Sequence, residues 1–158
     1  MSGNKIPLRK DQVELIEELA HINEQSGLQP AMAKIIALLT VSDEVELTFD
    51  QIQDTLGLSK SAVSQALNQL LVAKRIAYKA RLGDRRRYFH LRITEWSELV
   101  MEQFSGVGAL INTYKKILSK RTPKTKEFNR SLSELVQFLS LIHSQLVMLH
   151  DKYQKEKK

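Results

Sequence analysis

Apolar positions recur at helical spacing along most of this chain and switch to strand-like alternation in one short region. Val13, Ile16, Leu19, Ala20 and Ile22 predict a first helix from about Lys10 to Gln25 with a single apolar stripe. Ser26 and Gly27 end it, glycine being the residue that accepts a left-handed cap most easily. Pro30 suits the first turn of a second helix, where its missing N–H is no loss. Ile35, Ile36, Leu38 and Leu39 make that helix strongly apolar and place it at the centre of the expected core. Ser42 and Asp43 mark its exit, and residues 45–47 read as a very short strand. Residues 76–81 and 86–93 are rich in aromatic and branched residues and predict two strands joined by a turn at Leu82, Gly83, Asp84 and Arg85. Helical periodicity returns from Thr94, giving a helix from about Glu95 to Ser119, a break at Pro123 and a long final helix. In that last helix Phe128, Leu132, Leu135, Leu139, Ile142, Leu146, Leu149 and Tyr153 step alternately by four and three residues. A sustained heptad seam of this kind buries its stripe against a partner helix. About 30 residues of helix span ~45 Å, enough to overhang a compact domain. The seam is therefore expected to pack on a neighbouring subunit as well as on the preceding helix, the plain alternative being a purely intramolecular hairpin.

The region between residues 48 and 91 carries the candidate chemistry. Thr48 with Gln51 three residues on forms a capping box for a third helix running to about Leu56, and Gly57 closes it. Ser59 caps a fourth helix that continues to about Lys74. Val63, Ala66, Leu67 and Leu70 fall on its inner face, while Lys60, Ser61, Ser64, Gln65 and Asn68 fall on the outer one. Short polar side chains let a helix backbone approach the floor of a major groove. Gln65 and Asn68 each match adenine two-fold, and Ser61 and Ser64 reach phosphates or base edges. The same face also suits an ordinary wet surface helix. The hairpin that follows tips the balance: Lys79, Arg81, Arg85, Arg86 and Arg87 crowd its two strands and turn. An arginine at a loop tip is attracted to the strong negative potential of a narrow minor groove. Alternation sends neighbouring strand residues to opposite faces, so the three consecutive arginines are not expected to enter one groove together. Asp84 is placed either to hold an arginine or to serve the turn.

Charge agrees with that location. The 158 residues carry a net +6, but residues 1–48 hold four basic and eight acidic groups, while residues 49–93 hold nine basic and three acidic. A local basic field attracts polyanions. There is no cysteine, which excludes disulfides and thiolate metal sites. No N-terminal apolar segment has the length of a signal peptide or membrane span, so a cytoplasmic protein without membrane contact is expected. No nucleotide-binding glycine motif, HExxH or nucleophile triad is present; neither an enzyme nor a cofactor is expected. His143 and His150 are seven residues apart, too far for one tetrahedral ion without a third element, so packing or interface roles are assigned to them, and a structural role to His90. Gly106 and Gly108 inside a predicted helix each cost about 1 kcal/mol relative to alanine. Close helix packing is the plain explanation and a hinge or pocket wall the sharper one.

Residues 57–67 and 83–88, with the element Asp84-x-Arg86, resemble the recognition helix and wing of MarR-type winged helix-turn-helix transcriptional regulators, particularly the GbsR-like branch. Residues 27–39 resemble that branch's entry into its second helix, and the likeness covers roughly residues 10–93. It implies a mainly α fold with a small β-hairpin: a flexible arm at 1–9, a winged helix-turn-helix DNA-binding domain at 10–93 and a helical dimerisation region at 94–158. It also implies a homodimer that binds double-stranded DNA at a pseudo-palindromic operator, usually as a repressor, sometimes released by a small-molecule effector. Trp96, Phe104 and Tyr114 are placed to line an effector pocket, where aromatic faces hold quaternary ammonium groups, although helix-spaced aromatics also suit a plain core. The alternative from a different class is a winged-helix protein-interaction module that docks through its long C-terminal helix without reading DNA sequence.

Overall fold

The computed structural model describes residues 4–156. Its elements run α1 (Lys10–Gln25), α2 (Pro30–Val41), β1 (Leu47–Thr48), α3 (Phe49–Leu56), α4 (Lys60–Val72), β2 (Ile76–Arg81), β3 (Asp84–Leu91), a 3-10 turn (Ile93–Glu95), α5 (Trp96–Lys120) and α6 (Lys126–Glu156). They form two compact units, Met1–Thr94 and Glu95–Lys158.

In the first unit α2 is the central helix. Ala33, Ile35, Ala37 and Leu38 are wholly buried, and the core they enter includes Ile16, Leu47, Ile52, Val63, Leu67, Leu70, Ile76 and Phe89. The strands make one antiparallel sheet of order β1-β3-β2. Leu47 pairs with Phe89 and Thr48 with Tyr88, while Ile76 pairs with Leu91 and Tyr78 with Phe89. Local sequence sets the helix ends. Thr48 N–H donates to Gln51 Oε1 at 2.8 Å and Gln51 N–H donates to Thr48 Oγ1 at 3.3 Å, which is the expected capping box. Ser59 Oγ accepts from Ala62 N–H at 3.2 Å. Gly57 ends α3 at φ +63°, a conformation that costs an L residue with a Cβ about 1–2 kcal/mol.

Three expectations for this unit change. The buried stripe of α1 is Gln12, Ile16 and Ala20, whereas Val13 and Ile22 are exposed. Gln12 is buried because its amide is satisfied on both sides: Nε2 donates to the Val41 carbonyl at 3.2 Å and Oε1 accepts from Arg9 N–H at 3.0 Å. The segment expected to be a flexible arm is docked in its described part. Ile6 is buried in the core, its N–H donates to Thr55 Oγ1 at 3.1 Å, and Leu8 packs beside it. Met1, Ser2 and Gly3 lie outside the described residues. The hairpin loop shrinks to Leu82 and Gly83, because Asp84 already pairs with Arg81 as the first residue of β3.

The second unit is an antiparallel helical hairpin. At one end the Trp96 and Tyr153 rings meet edge to face with centroids 5.2 Å apart, and Gln154 Nε2 donates to Ser97 Oγ at 3.1 Å. At the other, Arg121 stacks on Phe128 at 4.3 Å and donates to Asn129 Oδ1 at 2.7 Å. Midway, a Cβ on Gly108 would sit 3.4 Å from His143 Nε2, whereas one on Gly106 would meet nothing within 4 Å. Close packing therefore accounts for Gly108 but not for Gly106, and the structure offers no reason for the latter. Among the described residues the only buried apolar side chains of this unit are Ile111 and Val136. The heptad seam divides: Leu132, Leu139 and Leu146 are half-buried, while Phe128, Leu135, Ile142, Leu149 and Tyr153 are exposed, as are Phe138, Leu141 and Met148. By length and composition α6 also meets the measure of a membrane-crossing helix.

Candidate nucleic-acid interface

The outer face of α4 is positioned by its inner one. Val63, Ala66, Leu67 and Leu70 are buried, as the spacing predicts, which leaves Lys60, Ser61, Ser64, Gln65 and Asn68 all exposed. Ser64 and Asn68 line a cleft of about 370 Å³ together with Thr48, Asp50, Arg85, Arg86 and Arg87. Five of the predicted DNA-binding residues thus share one concavity between α4 and the hairpin, while Lys60, Ser61 and Gln65 sit on the same helix face outside it.

The hairpin arginines are held in different ways. Asp84 Oδ1 accepts from the Arg86 backbone N–H at 2.9 Å, and its carboxylate accepts from Arg86 Nε at 3.0 Å, from Arg86 NH2 at 2.8 Å and from the Tyr88 hydroxyl at 2.6 Å. Asp84 therefore fills both roles open to it, holding the Arg86 guanidinium and bonding the backbone two residues on as in an Asx turn. These bonds, with those from Arg86 the strongest, drive the Asp84 pKa well below the usual carboxylate range. The same pairing raises the Arg86 pKa, and donation to Asp84 raises that of the Tyr88 phenol. Arg87 lies over the Tyr78 ring at 4.7 Å. Arg85 forms no ion pair among the described residues, which leaves its five N–H donors available. A register shift between Ala80 and Arg81 lets Arg85 and Arg86 bulge from the ladder, and a bulge of this kind re-aims side chains.

Lys79 and Arg81 are placed differently from the expectation. Lys79 Nζ donates to Glu46 Oε1 at 2.6 Å and Arg81 NH2 to Glu46 Oε2 at 3.1 Å. Arg81 also stacks on Tyr88 at 3.8 Å. Neither lines the cleft with Ser64 and Asn68. Hydrogen bonds first from Lys79 and then from Arg81 hold the Glu46 pKa below the usual range. Glu46, Tyr78 and Tyr88 are thus parts of the site that sequence reasoning missed. No local pattern pointed to Glu46, which precedes β1 on the far side of β3, while the residues directly opposite Lys79 and Arg81 are Tyr88 and Asp84.

His90 is half-buried on β3 opposite Ala77. His150 lies near Gln154 and Asp151. No group of three or more histidine, aspartate or glutamate side chains with metal-binding geometry occurs among the described residues.

No protein-family model matches the chain, and no curated protein matches it. Among solved structures it is similar to a protein described as a transcriptional regulator, with a TM-score of 0.72 and 21% identity over 92% of this chain and 99% of that one. It is more distantly similar to two mutants of MepR from S. aureus, one of them from a multidrug-resistant clinical isolate. Each has a TM-score of 0.42 and 17% identity, covering 86% of this chain and 99% of the other. The first likeness shows the fold: a mainly helical chain with a small antiparallel sheet, arranged as a winged helix-turn-helix followed by long C-terminal helices.

Proposed function

We propose that this chain is a sequence-specific DNA-binding transcriptional regulator of MarR type, acting as a homodimer and as a repressor on a pseudo-palindromic operator. The observation that carries this reading is the shared cleft, in which the outer face of a well-packed helix and three arginines of the adjacent hairpin face one space. On this reading Ser64 and Asn68 in the cleft, with Gln65 beside them on the same helix face, read base edges from the major groove, and Lys60 and Ser61 contact phosphates. Arg85 enters the flanking minor groove, Arg87 binds a phosphate, and Arg86 acts mainly by shaping the hairpin around Asp84. Lys79 and Arg81 add to the local field with their charge partly offset by Glu46.

Burial supports the homodimer. A two-helix unit with Ile111 and Val136 as its buried apolar residues leaves Leu135, Phe138, Leu141, Ile142, Met148 and Leu149 open to water. An apolar surface of that extent marks an association site, and two-fold pairing is the commonest way to close one. The two recognition helices of the dimer would then enter successive major grooves about one turn apart. The reading puts the protein in the cytoplasm and uses the apolar stripes of α6 between subunits rather than in a bilayer. The GbsR-like branch and an unidentified small-molecule effector rest on sequence resemblance alone.

Selection of bound duplexes from a random pool tests the reading. Enrichment of two-fold symmetric sites with half-site centres about 10 bp apart is expected. The open α6 face also favours a second reading, a protein-interaction module. Absence of duplex binding at low salt would favour that reading and overturn the first.

A further inference from the structure

The tip of the hairpin carries one large apolar side chain among its cations. The loop between β2 and β3 is only Leu82 and Gly83, and Gly83 takes the left-handed conformation at φ +82°. Leu82 therefore occupies the outer corner of the loop with its side chain wholly in water, at 108% relative exposure. Isolated exposed leucines are common on protein surfaces, but this one stands at a special place. Tight-turn positions favour glycine, asparagine, aspartate, serine and proline, which hydrogen-bond locally or accept unusual backbone angles. A bulky apolar residue gains nothing there from the free protein. It also stands between Arg81 and Arg85, on a hairpin stiffened by the Asp84–Arg86–Tyr88 network. The arrangement is an apolar prong on a rigid cationic support.

Resting on the DNA-binding reading, we propose that Leu82 is an apolar wedge that enters the minor groove where the hairpin meets it, partly unstacks one base step and bends the duplex. Apolar side chains that enter the minor groove commonly act in this way, kinking the helix toward the major groove. Arg85, three residues further along the same hairpin, supplies the attraction to the groove, and Leu82 supplies the deformation. The consequence is specificity at a position without hydrogen bonds to the bases. Flexible TA and CA/TG steps yield to a wedge at lower cost than stiff A-tracts do, so the preferred sites carry such a step where the hairpin meets the minor groove.

The test compares the full chain with Leu82→Ala, Leu82→Met and Arg85→Ala on two duplexes, one of alternating TA steps and one of uninterrupted A-tracts, reading affinity, salt dependence and end-to-end distance by energy transfer. The wild-type protein should prefer the TA duplex and shorten its end-to-end distance. Leu82→Ala should lose most of that preference, roughly tenfold, and most of the bend, with an unchanged salt slope because no charge is removed. Leu82→Met, apolar and of similar volume, should retain both. Equal bending and step preference in wild type and Leu82→Ala would overturn the wedge while leaving DNA binding intact, provided that Arg85→Ala still weakens both duplexes. Failure of the wild-type protein to bind either duplex would overturn the wedge and the DNA-binding reading together.

Discussion

At the residue scale the hairpin separates roles that its run of three arginines conceals. Arg86 is committed to Asp84, Arg87 lies over Tyr78, and Arg85 has no charged partner among the described residues. Replacing Arg85 with alanine is expected to weaken binding to every duplex and to lower the log–log salt slope by about 1, the signature of removing one cation from a phosphate or groove. A titration over salt concentration checks this, and an unchanged slope would remove Arg85 from the interface. Gln65→Ala and Asn68→Ala should instead narrow the affinity gap between preferred and random sequence, by about 1–3 kcal/mol for each two-fold pairing with a base that is removed. The Asp84 network also has a pH signature. Its carboxylate pKa is lower folded than unfolded, so its contribution is complete above the unfolded value of about 4 and is lost as pH falls through the lower folded value. The Arg86 Nε chemical shift should therefore stay constant between pH 7 and 5, roughly the range in which both states keep Asp84 ionised. A titrating shift within that interval would show that the pair does not persist in solution.

At the scale of elements, short-range chemistry and packing divide the work. Removing the capping hydroxyl in Thr48→Ala should cost about 1 kcal/mol, seen as a fall of several degrees in the melting temperature of the first unit. The two glycines of α5 should respond in opposite senses. Gly108→Leu inserts a side chain where a Cβ already stands 3.4 Å from His143, and overpacking of this kind costs about 1–3 kcal/mol. Gly106→Ala meets open space and gains helix propensity of up to about 1 kcal/mol. Thermal melts of the two variants decide it, and a stable Gly108→Leu protein would dissociate that glycine from the packing of α5 on α6. The Thr48–Gln51 capping box, the Ser59 cap, the αL glycine and the inner face of α4 were legible in sequence because each depends on neighbours within about four residues. The rotation of α1 was not. Gln12 looks solvent-facing by composition, and its burial is tolerable because the Val41 carbonyl on another helix accepts from its amide while the Arg9 N–H donates to it.

At the scale of the molecule the decisive matter is what covers the C-terminal helices. Leu135→Glu with Leu149→Glu places two charges on positions that are exposed in the single chain, so the hairpin itself should tolerate them. Across a subunit interface they would be buried without partners, at a cost of several kcal/mol. Sedimentation at micromolar concentration should show a dimer for the parent chain and a monomer for the variant. Identical masses would reassign the seam. Dissociation of the dimer should also weaken operator binding steeply, because linking two half-site readers raises their joint affinity by orders of magnitude.

The sequence alone determined the order and ends of nearly every element, the inward and outward faces of α4 and the concentration of cations on the hairpin. These follow from periodicity, capping chemistry and formal charge, which are properties of neighbouring residues. Tertiary structure decided which cations are free. Glu46 meets Lys79 and Arg81 from more than 30 positions away, and strand pairing with a bulge turns Arg86 back on Asp84 while leaving Arg85 and Leu82 at the rim. It also seated Ile6 in the core and divided the heptad seam into a half-buried row and an open one. Such choices depend on which distant groups reach one another, and the pattern of residues along a chain carries no record of that distance.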